Sequence, residues 1–231
     1  NEAGLYLGLD IKPNYNWQFS AYFDTWSHPW LRFGVDAPSK GYEYLAQARY
    51  RVKRKLDVYI RFRDEYRQRN RPNNDTNIDF LIWERRTQLR INLAYIVSKG
   101  LEISNREEMI LFKEDDLPVS RGFMIYQDLI VKPPGTRLSF TGRFAIFDTD
   151  DFDSRIYAFE NDILYSFSIP AFAYRGMRYY LNMRYRPTRK LSLEFRIAQT
   201  YLSNRDFFGS GLELIEGNTR TEIKMQAQYK F

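Results

Sequence analysis

The chain has 231 residues, of which 28% are charged, and a formal net charge of +6 with no Cys. The lack of Cys excludes disulfides, thiolate-zinc sites and thiol catalysis, and because acids and bases are interleaved the charge does not by itself indicate a nucleic-acid partner. No apolar run approaches the roughly 18–20 residues of a membrane-spanning helix, which excludes a helical membrane protein.

Period-two alternation of apolar and polar residues dominates the chain and predicts long strands with one apolar and one polar face. The last segment alternates over 13 residues without a break, which is long enough to cross a bilayer at a tilt. In chain order the eleven predicted strands are 5–11, 17–24, 42–52, 56–63, 90–97, a segment starting at 101, 123–131, 137–146, 177–185, 191–197 and 219–231.

Three stretches depart from this rhythm. Alternation fails at residues 105–108, where we expect a bulge or a bend, and residues 123–131 are too apolar on both sides to be oriented. Residues 148–176 break the rhythm altogether and predict a long extracellular excursion. Strand-like pieces at 155–159 and 163–167 inside it leave open a twelfth strand.

Short connections rich in Pro, Gly, Lys and Arg alternate with longer ones such as 26–40, 69–76 and 204–218. Outer-membrane barrels have short periplasmic turns and long outside loops, so the first and last strands would both descend to the periplasm. An odd strand number with parallel ends cannot close by antiparallel pairing. Residues 1–231 are therefore expected to form one region, the C-terminal part of a larger antiparallel transmembrane β-barrel with all-β fold. Aromatic residues make up 17% of the chain, which suits the interface girdles of such a barrel. A soluble sheet would need to cover eleven apolar faces, and the sequence has no amphipathic helix to do so.

Longer motifs add a family resemblance. Residues 29–39 (PWLRFGVDAPS), 147–174 and 209–219 (GSGLELIEGNT) resemble the C-terminal barrel region of outer-membrane proteins of the Bacteroidota that are labelled by an N-terminal helix-hairpin-helix domain. The resemblance implies a barrel in the bacterial outer membrane. The helix-hairpin-helix part, which would imply DNA contact, has no counterpart in these residues, so no nucleic-acid role passes to any position.

Charged side chains on the predicted polar faces are the candidate functional residues. Rings of charge set selectivity in pores, but neighbouring acids and bases could equally pair into a salt-bridged filling, which we favour. The lumen-facing candidates are Arg49, Arg61, Arg63, Arg143, Arg178, Arg184, Arg196, Glu43, Asp57, Glu194 and Glu222. Tyr229 and Phe231 form an aromatic ending that predicts a membrane-insertion signal.

Two other features of the sequence contain residue types that can carry chemistry. Asp148, Asp150, Asp151 and Asp153 offer oxygen ligands that calcium favours, but the Gly and distal Glu of an EF-hand are missing, and a solvated turn is the favoured interpretation. His28 is the only histidine, and no serine context indicates a catalytic dyad.

These observations predict a non-enzymatic channel, transport pore or envelope-assembly scaffold in the bacterial outer membrane, without a cofactor. Its expected partners are outer-membrane lipid, the barrel assembly machinery, and further strands or another envelope protein that complete the barrel. A nucleic-acid uptake component, on the family label alone, and a lipolytic enzyme are the alternatives.

Overall fold

The computed structural model describes residues 2–71, 78–115 and 117–231, and these form one large antiparallel sheet of eleven strands. Every sheet strand pairs with the sheet strands that precede and follow it in sequence. The sheet strands are β1 (Ala3–Ile11), β2 (Trp17–His28), β3 (Ser39–Val52), β4 (Leu56–Asn70), β5 (Leu81–Ser98), β6 (Leu101–Glu114), β7 (Ser120–Val131), β8 (Leu138–Thr149), β11 (Arg175–Tyr185), β12 (Leu191–Leu202) and β15 (Thr219–Tyr229). Two short hairpins lie in the connections, β9 (Ile156–Tyr157) with β10 (Ala171–Phe172) and β13 (Phe207–Phe208) with β14 (Ile215–Glu216), and one 3-10 turn spans Gly211–Glu213.

The prediction of eleven antiparallel strands is confirmed, and within the described residues no twelfth strand joins the sheet. Several strands are longer than predicted, above all β4 and β5. Their added residues carry charge on both faces, for example Asp64 paired with Arg85, so polarity no longer alternates although backbone pairing continues. Residues 72–76 of the predicted polar loop lie outside the described residues.

The two faces of the sheet differ in character. On the apolar face, large side chains such as Leu7, Phe144, Leu181 and Ile223 are exposed along the middle of their strands. The opposite face, called the polar face below, carries all eleven charged candidates. Cross-strand pairs such as Arg49 with Tyr59 and Arg196 with Lys224 keep this face continuous from strand to strand.

The predicted bulge at residues 105–108 is wrong. Strand β6 runs through that stretch without interruption, and the register irregularity lies instead in β5, between Ile96 and Ser98. Alternation fails because both faces are charged here. Arg106 and Glu108 form a buried ion pair on the polar face.

Polar residues also stand on the apolar face, and three of them form a cluster on β6 and β7. Glu107 stands on this face between Ile91 and Ile125, and its neighbours along the same face are Asn105 and, on β7, Gln127. These three residues, called the polar island, have apolar residues on both sides along their strands. Within the described chain, the Glu107 carboxylate has no hydrogen bond or ion pair.

Both edges of the sheet are open. Because all neighbours are antiparallel and the strands number eleven, the outermost strands β1 and β15 run in the same direction. Within the described residues neither has a partner on its free side. Antiparallel pairing of β1 with β15 is thus ruled out by geometry.

Residues 150–174, called the strap, connect β8 to β11 and lie across the polar face. Ile156, Ala158 and Phe172 of the strap are buried against apolar side chains of β6, β7, β8 and β12. Met124 and Tyr126 belong to this core, which resolves the orientation of β7. The sequence of β7 is apolar on both faces because one is covered by the strap and the other is the apolar face.

Candidate functional site

The charged candidates on the polar face are mostly held in ion pairs. Arg63 forks onto Glu43 with nitrogen–oxygen distances of 2.8 and 2.6 Å, and the hydroxyl of Tyr22 donates to the same carboxylate. Arg49 donates from Nε to Asp57 at 2.7 Å. Such bidentate charge-assisted pairs fix side-chain geometry as well as charge. Ion pairs and hydrogen bonds therefore hold the charged side chains of β3 and β4, and Tyr22 of β2, in defined positions.

Arg61 differs from its neighbours. Its Nε donates to the amide oxygen of Gln47 at 2.8 Å, and among the described residues no carboxylate lies within ion-pair distance. Arg61 is the predicted candidate that the structure leaves without an acidic partner. The remaining candidates, on β8 to β15, form hydrogen bonds or ion pairs with the strap or with side chains that bind it.

The strap is anchored by a buried carboxylate, Glu160, which is 0% exposed. Arg178 donates to it from Nε at 2.8 Å and from Nη2 at 3.0 Å, and Arg196, also 0% exposed, donates to the same group. Arg178 further reaches Thr200 at 2.6 Å and Glu222 at 3.3 Å. One strap carboxylate thus joins β11 to β12 across the polar face.

Asp162 makes a second anchor, to the last strand. Lys224 donates to its carboxylate at 2.5 Å, and Arg196 lies 3.6 Å from it. Burial raises the pKa of Asp162, but the hydrogen bond from Lys224, the backbone N–H of Ile163 and the positive charges outweigh it, so the pKa lies below its ordinary value. The carboxylate is charged at neutral pH.

Further contacts continue along the strap. Arg106 donates to the carbonyl oxygen of Tyr157 at 3.2 Å, and Arg143 donates to that of Phe159 at 2.7 Å. Arg143 also forks onto Asp128 at 2.6 and 2.7 Å, so its charge is balanced. Buried arginines therefore satisfy strap carbonyls that would otherwise lose their hydrogen bonds.

Glu194 links the strap to the short-connection end of the sheet. Arg184 donates to it at 2.9 Å, and the backbone N–H of Leu164 donates at 3.0 Å. Apart from Arg61, the predicted candidates thus fall into an ion-paired group on β3 and β4 and a group on β8 to β15 that binds the strap directly or through Glu160 or Glu194.

Sequence reasoning missed Glu160, Asp162, Asp128 and the Arg106–Glu108 pair. The first two lie in the segment that interrupts the alternation, where no face can be assigned from periodicity. A usable signal was present: Glu160 and Asp162 stand among apolar and aromatic residues, and an acid in such a setting requires a cationic partner when buried.

The aspartates at the start of the strap are used separately. Asp151 accepts hydrogen bonds from the Ser120 hydroxyl at 2.7 Å and the backbone N–H groups of Asp153 and Ser154 at 2.9 and 3.0 Å. Burial raises the pKa of Asp151, and these hydrogen bonds lower it to a net value below the ordinary one. In the part of the chain that the structure describes, no three metal-ligating side chains converge.

His28 ends β2 rather than lying in a loop. One ring nitrogen is 3.2 Å from Nη1 of Arg32 and the other is 4.0 Å from the Glu2 carboxylate. Ser39 is the cross-strand neighbour of His28, and the buried hydroxyl of Ser39 makes no hydrogen bond among the described residues. The His28 ring therefore contacts the Arg32 guanidinium and does not form the hydrogen bond to a serine that a catalytic dyad needs.

Tyr229 and Phe231 lie at the short-connection end, exposed, with ring centroids 5.3 Å apart.

Within the described residues, no helix is long and apolar enough to cross a membrane. No protein-family model matches the chain, and no curated protein shows significant similarity to it.

Proposed function

We propose that this chain forms the wall of a β-barrel in the bacterial outer membrane and that its strap closes part of the polar interior. It would act as a strap-closed transport passage, without a catalytic role. The observation that carries the proposal is the two-faced sheet: an exposed apolar face on one side and, on the other, an ion-paired face that the strap partly covers. Lipid is the solvent in which such an apolar face is stable.

Aromatic residues at both ends of the apolar face support this proposal. Tyr42 stacks on Tyr66 at the long-connection end with a centroid distance of 4.7 Å, and Trp17 packs on Tyr50 at the short-connection end at 5.0 Å. Barrels carry aromatic girdles at the two membrane interfaces.

The length of the strands fits the same environment. On β12 the apolar face extends from Leu191 to Tyr201. Ten residue steps of about 3.3 Å give about 33 Å along the strand. At a tilt of about 40° the height is about 25 Å, which matches the apolar band of a barrel.

The open edges require further strands. An unpaired edge in hydrocarbon leaves backbone N–H and C=O groups without hydrogen bonds, at several kcal/mol each. Because β1 and β15 are parallel, closure with antiparallel neighbours needs an odd number of additional strands, whether from the same polypeptide or from another envelope protein.

The polar island is an interruption of the apolar face that includes a carboxylate, Glu107. A carboxylate facing lipid is unfavourable, though less so than Arg or Lys, for which the cost is about 2–4 kcal/mol at the midplane. The proposal therefore predicts that Glu107→Leu stabilises the protein in a lipid bilayer. Destabilisation would mean that another membrane-embedded chain pairs with this carboxylate.

A spin-label scan tests the membrane assignment. The sequence has no Cys, so each introduced Cys is a unique attachment site. In lipid vesicles, labels at Ile223 and Met225 should be accessible to oxygen and inaccessible to a water-soluble nickel chelate, while labels at Glu222 and Gln226 should lack this preference. A label at the fully exposed connection residue Leu212 is the aqueous control. Nickel accessibility at Ile223 equal to that at Leu212 would refute the assignment.

A further inference from the structure

The short connections give one end of the sheet a strong positive charge. This end comprises residues 12–16, 53–55, 99–100, 132–137, 186–190 and 230–231, which contain 11 Lys and Arg and no Asp or Glu. At the other end, the described residues of connections 29–38, 71–80, 115–119 and 203–218 include 6 Asp and Glu against 3 Arg. The basic end would attract anions from solution.

A cavity of about 890 Å³ lies at the basic end, where connections 132–137 and 186–190 meet the end of β15. We call it the basic recess. Six basic side chains of these connections line it: Lys132, Arg137, Arg186, Arg189, Lys190 and Lys230.

These six side chains have no acidic partner in the described part of the chain. The acid of the recess, Glu194, is already bound to Arg184 at 2.9 Å and to the backbone N–H of Leu164 at 3.0 Å. Arg137 donates to the carbonyl oxygen of Pro187, which ties the two connections together. Six positive charges thus share one cavity without a counter-charge from the protein.

Hydroxyl groups add neutral donors to the recess. The Thr188 hydroxyl oxygen accepts from the backbone N–H of Leu191 at 3.0 Å, which leaves its proton to be donated. Ser192 also lines the recess, and its buried Oγ has no hydrogen-bond partner among the described residues. A buried hydroxyl without a partner is unfavourable until a ligand supplies one.

A second cavity at the same end lacks this imbalance. It measures about 680 Å³ and includes Lys12, Arg49 and Arg51. Asp57 binds both arginines, with nitrogen–oxygen distances of 2.5 and 3.0 Å, and Asp10 lies 3.8 Å from Lys12. Positive charge alone does not distinguish the basic recess; unpaired positive charge does.

We propose that the basic recess binds an anion that carries more than one phosphate group. Guanidinium groups match phosphate oxygens in a bidentate geometry, and the lysines and hydroxyls add further donors. The cavity is larger than a single phosphate needs, and six charges exceed what one phosphate neutralises. A free oligophosphate and the headgroup of cardiolipin, a phospholipid with two phosphates, offer the same chemistry. The inference does not depend on the membrane assignment, because the recess is built from connections and strand ends.

Calorimetric titration of the purified protein in non-ionic detergent tests the proposal. The ligands are tripolyphosphate, inorganic phosphate, and mixed micelles with cardiolipin or phosphatidylcholine. The double variant Arg189→Glu/Lys190→Glu reverses two recess charges. The matched control Lys53→Glu/Arg54→Glu reverses two charges in a short connection that does not line the recess.

We expect saturable binding of tripolyphosphate that is tighter than that of inorganic phosphate and weakens with added salt. The recess variant should lose at least about tenfold in affinity, because it removes charge-assisted hydrogen bonds from two side chains and adds two negative charges. The control variant should change affinity less than about threefold, as expected for screened long-range charge. Binding of cardiolipin but not of free tripolyphosphate would identify a lipid headgroup as the source of the phosphates. Equal losses in both variants, or no saturable binding of either ligand, would overturn the proposal.

Discussion

Removal of the Glu160 carboxylate should release the strap from the polar face. The Glu160→Ala variant leaves the buried guanidinium groups of Arg178 and Arg196 without their shared acid. Breaking a buried ion pair costs about 3–5 kcal/mol, since a charge stays buried without compensation. Arg178 keeps Glu222 at 3.3 Å and Arg196 keeps Asp162 at 3.6 Å, so we place the cost near the lower limit. A cost of about 3 kcal/mol raises the equilibrium constant for strap opening roughly 100-fold.

Opening can be measured by labelling a cysteine in the strap core. Ala158 is 1% exposed, and Ala158→Cys introduces the sole thiol of the chain. When reclosing is fast, its labelling by a water-soluble maleimide reports the population of the open strap. In vesicles the rate should rise roughly 100-fold in the Glu160→Ala background. Membrane conductance should rise as well if the strap closes the passage.

The matched control is Glu213→Ala, which removes an exposed carboxylate in the connection before β15. It should change neither labelling nor conductance. Labelling of Ala158→Cys that stays slow in the Glu160→Ala background would refute the anchoring role of Glu160. Faster labelling without any conductance would support the anchoring role of Glu160 but would indicate that the protein is a scaffold and not a passage.

Three further outcomes follow from the same geometry. Ile223→Arg, on the apolar face, should destabilise the bilayer-refolded protein by about 2–4 kcal/mol near the midplane, whereas Gln228→Arg on the polar face of the same strand should cost much less; equal costs in a denaturant titration would contradict the lipid assignment. Replacing Tyr229 and Phe231 by Ser should reduce the surface level in cells while detergent refolding persists, and unchanged levels would speak against an insertion signal. The pKa of Asp162 is lowered in the folded protein, so the stability that this carboxylate gives the strap is complete above the ordinary pKa of 3.8 and is lost as pH falls through the lower folded value. Labelling of the strap cysteine should therefore accelerate in that acidic range. Asp162→Asn should remove this pH dependence, and a pH dependence that persists in the variant would assign it to another group.

Period-two alternation by itself indicated eleven strands, with a twelfth left open inside residues 148–176, and assigned the two faces of most of them. On β15 the alternation of Ile223 and Met225 with Lys224 and Gln226 assigns each side chain to a face without any tertiary information. The positions of the arginines followed from the same rule, since side chains two residues apart share a face. Pairing between acids and bases of neighbouring strands was also expected, whereas the individual pairs, such as Arg184 with Glu194, depend on the strand register.

Only the tertiary structure decided the position of the strap and everything bound to it. Residues 150–174 have no periodicity from which a face could be read, and their contacts are long-range, such as Lys224 with Asp162. Tertiary structure also decided the orientation of β7, which has apolar residues even on the polar side of the sheet because the strap packs there. It likewise decided the position of Glu107, which lies on the apolar face because the register of β6 is continuous. The local alternation pattern indicates which face a strand residue occupies. The side chains that cover that face come from a segment distant in sequence. Their position depends on packing and ion pairing between distant residues, which a short stretch of sequence does not reveal.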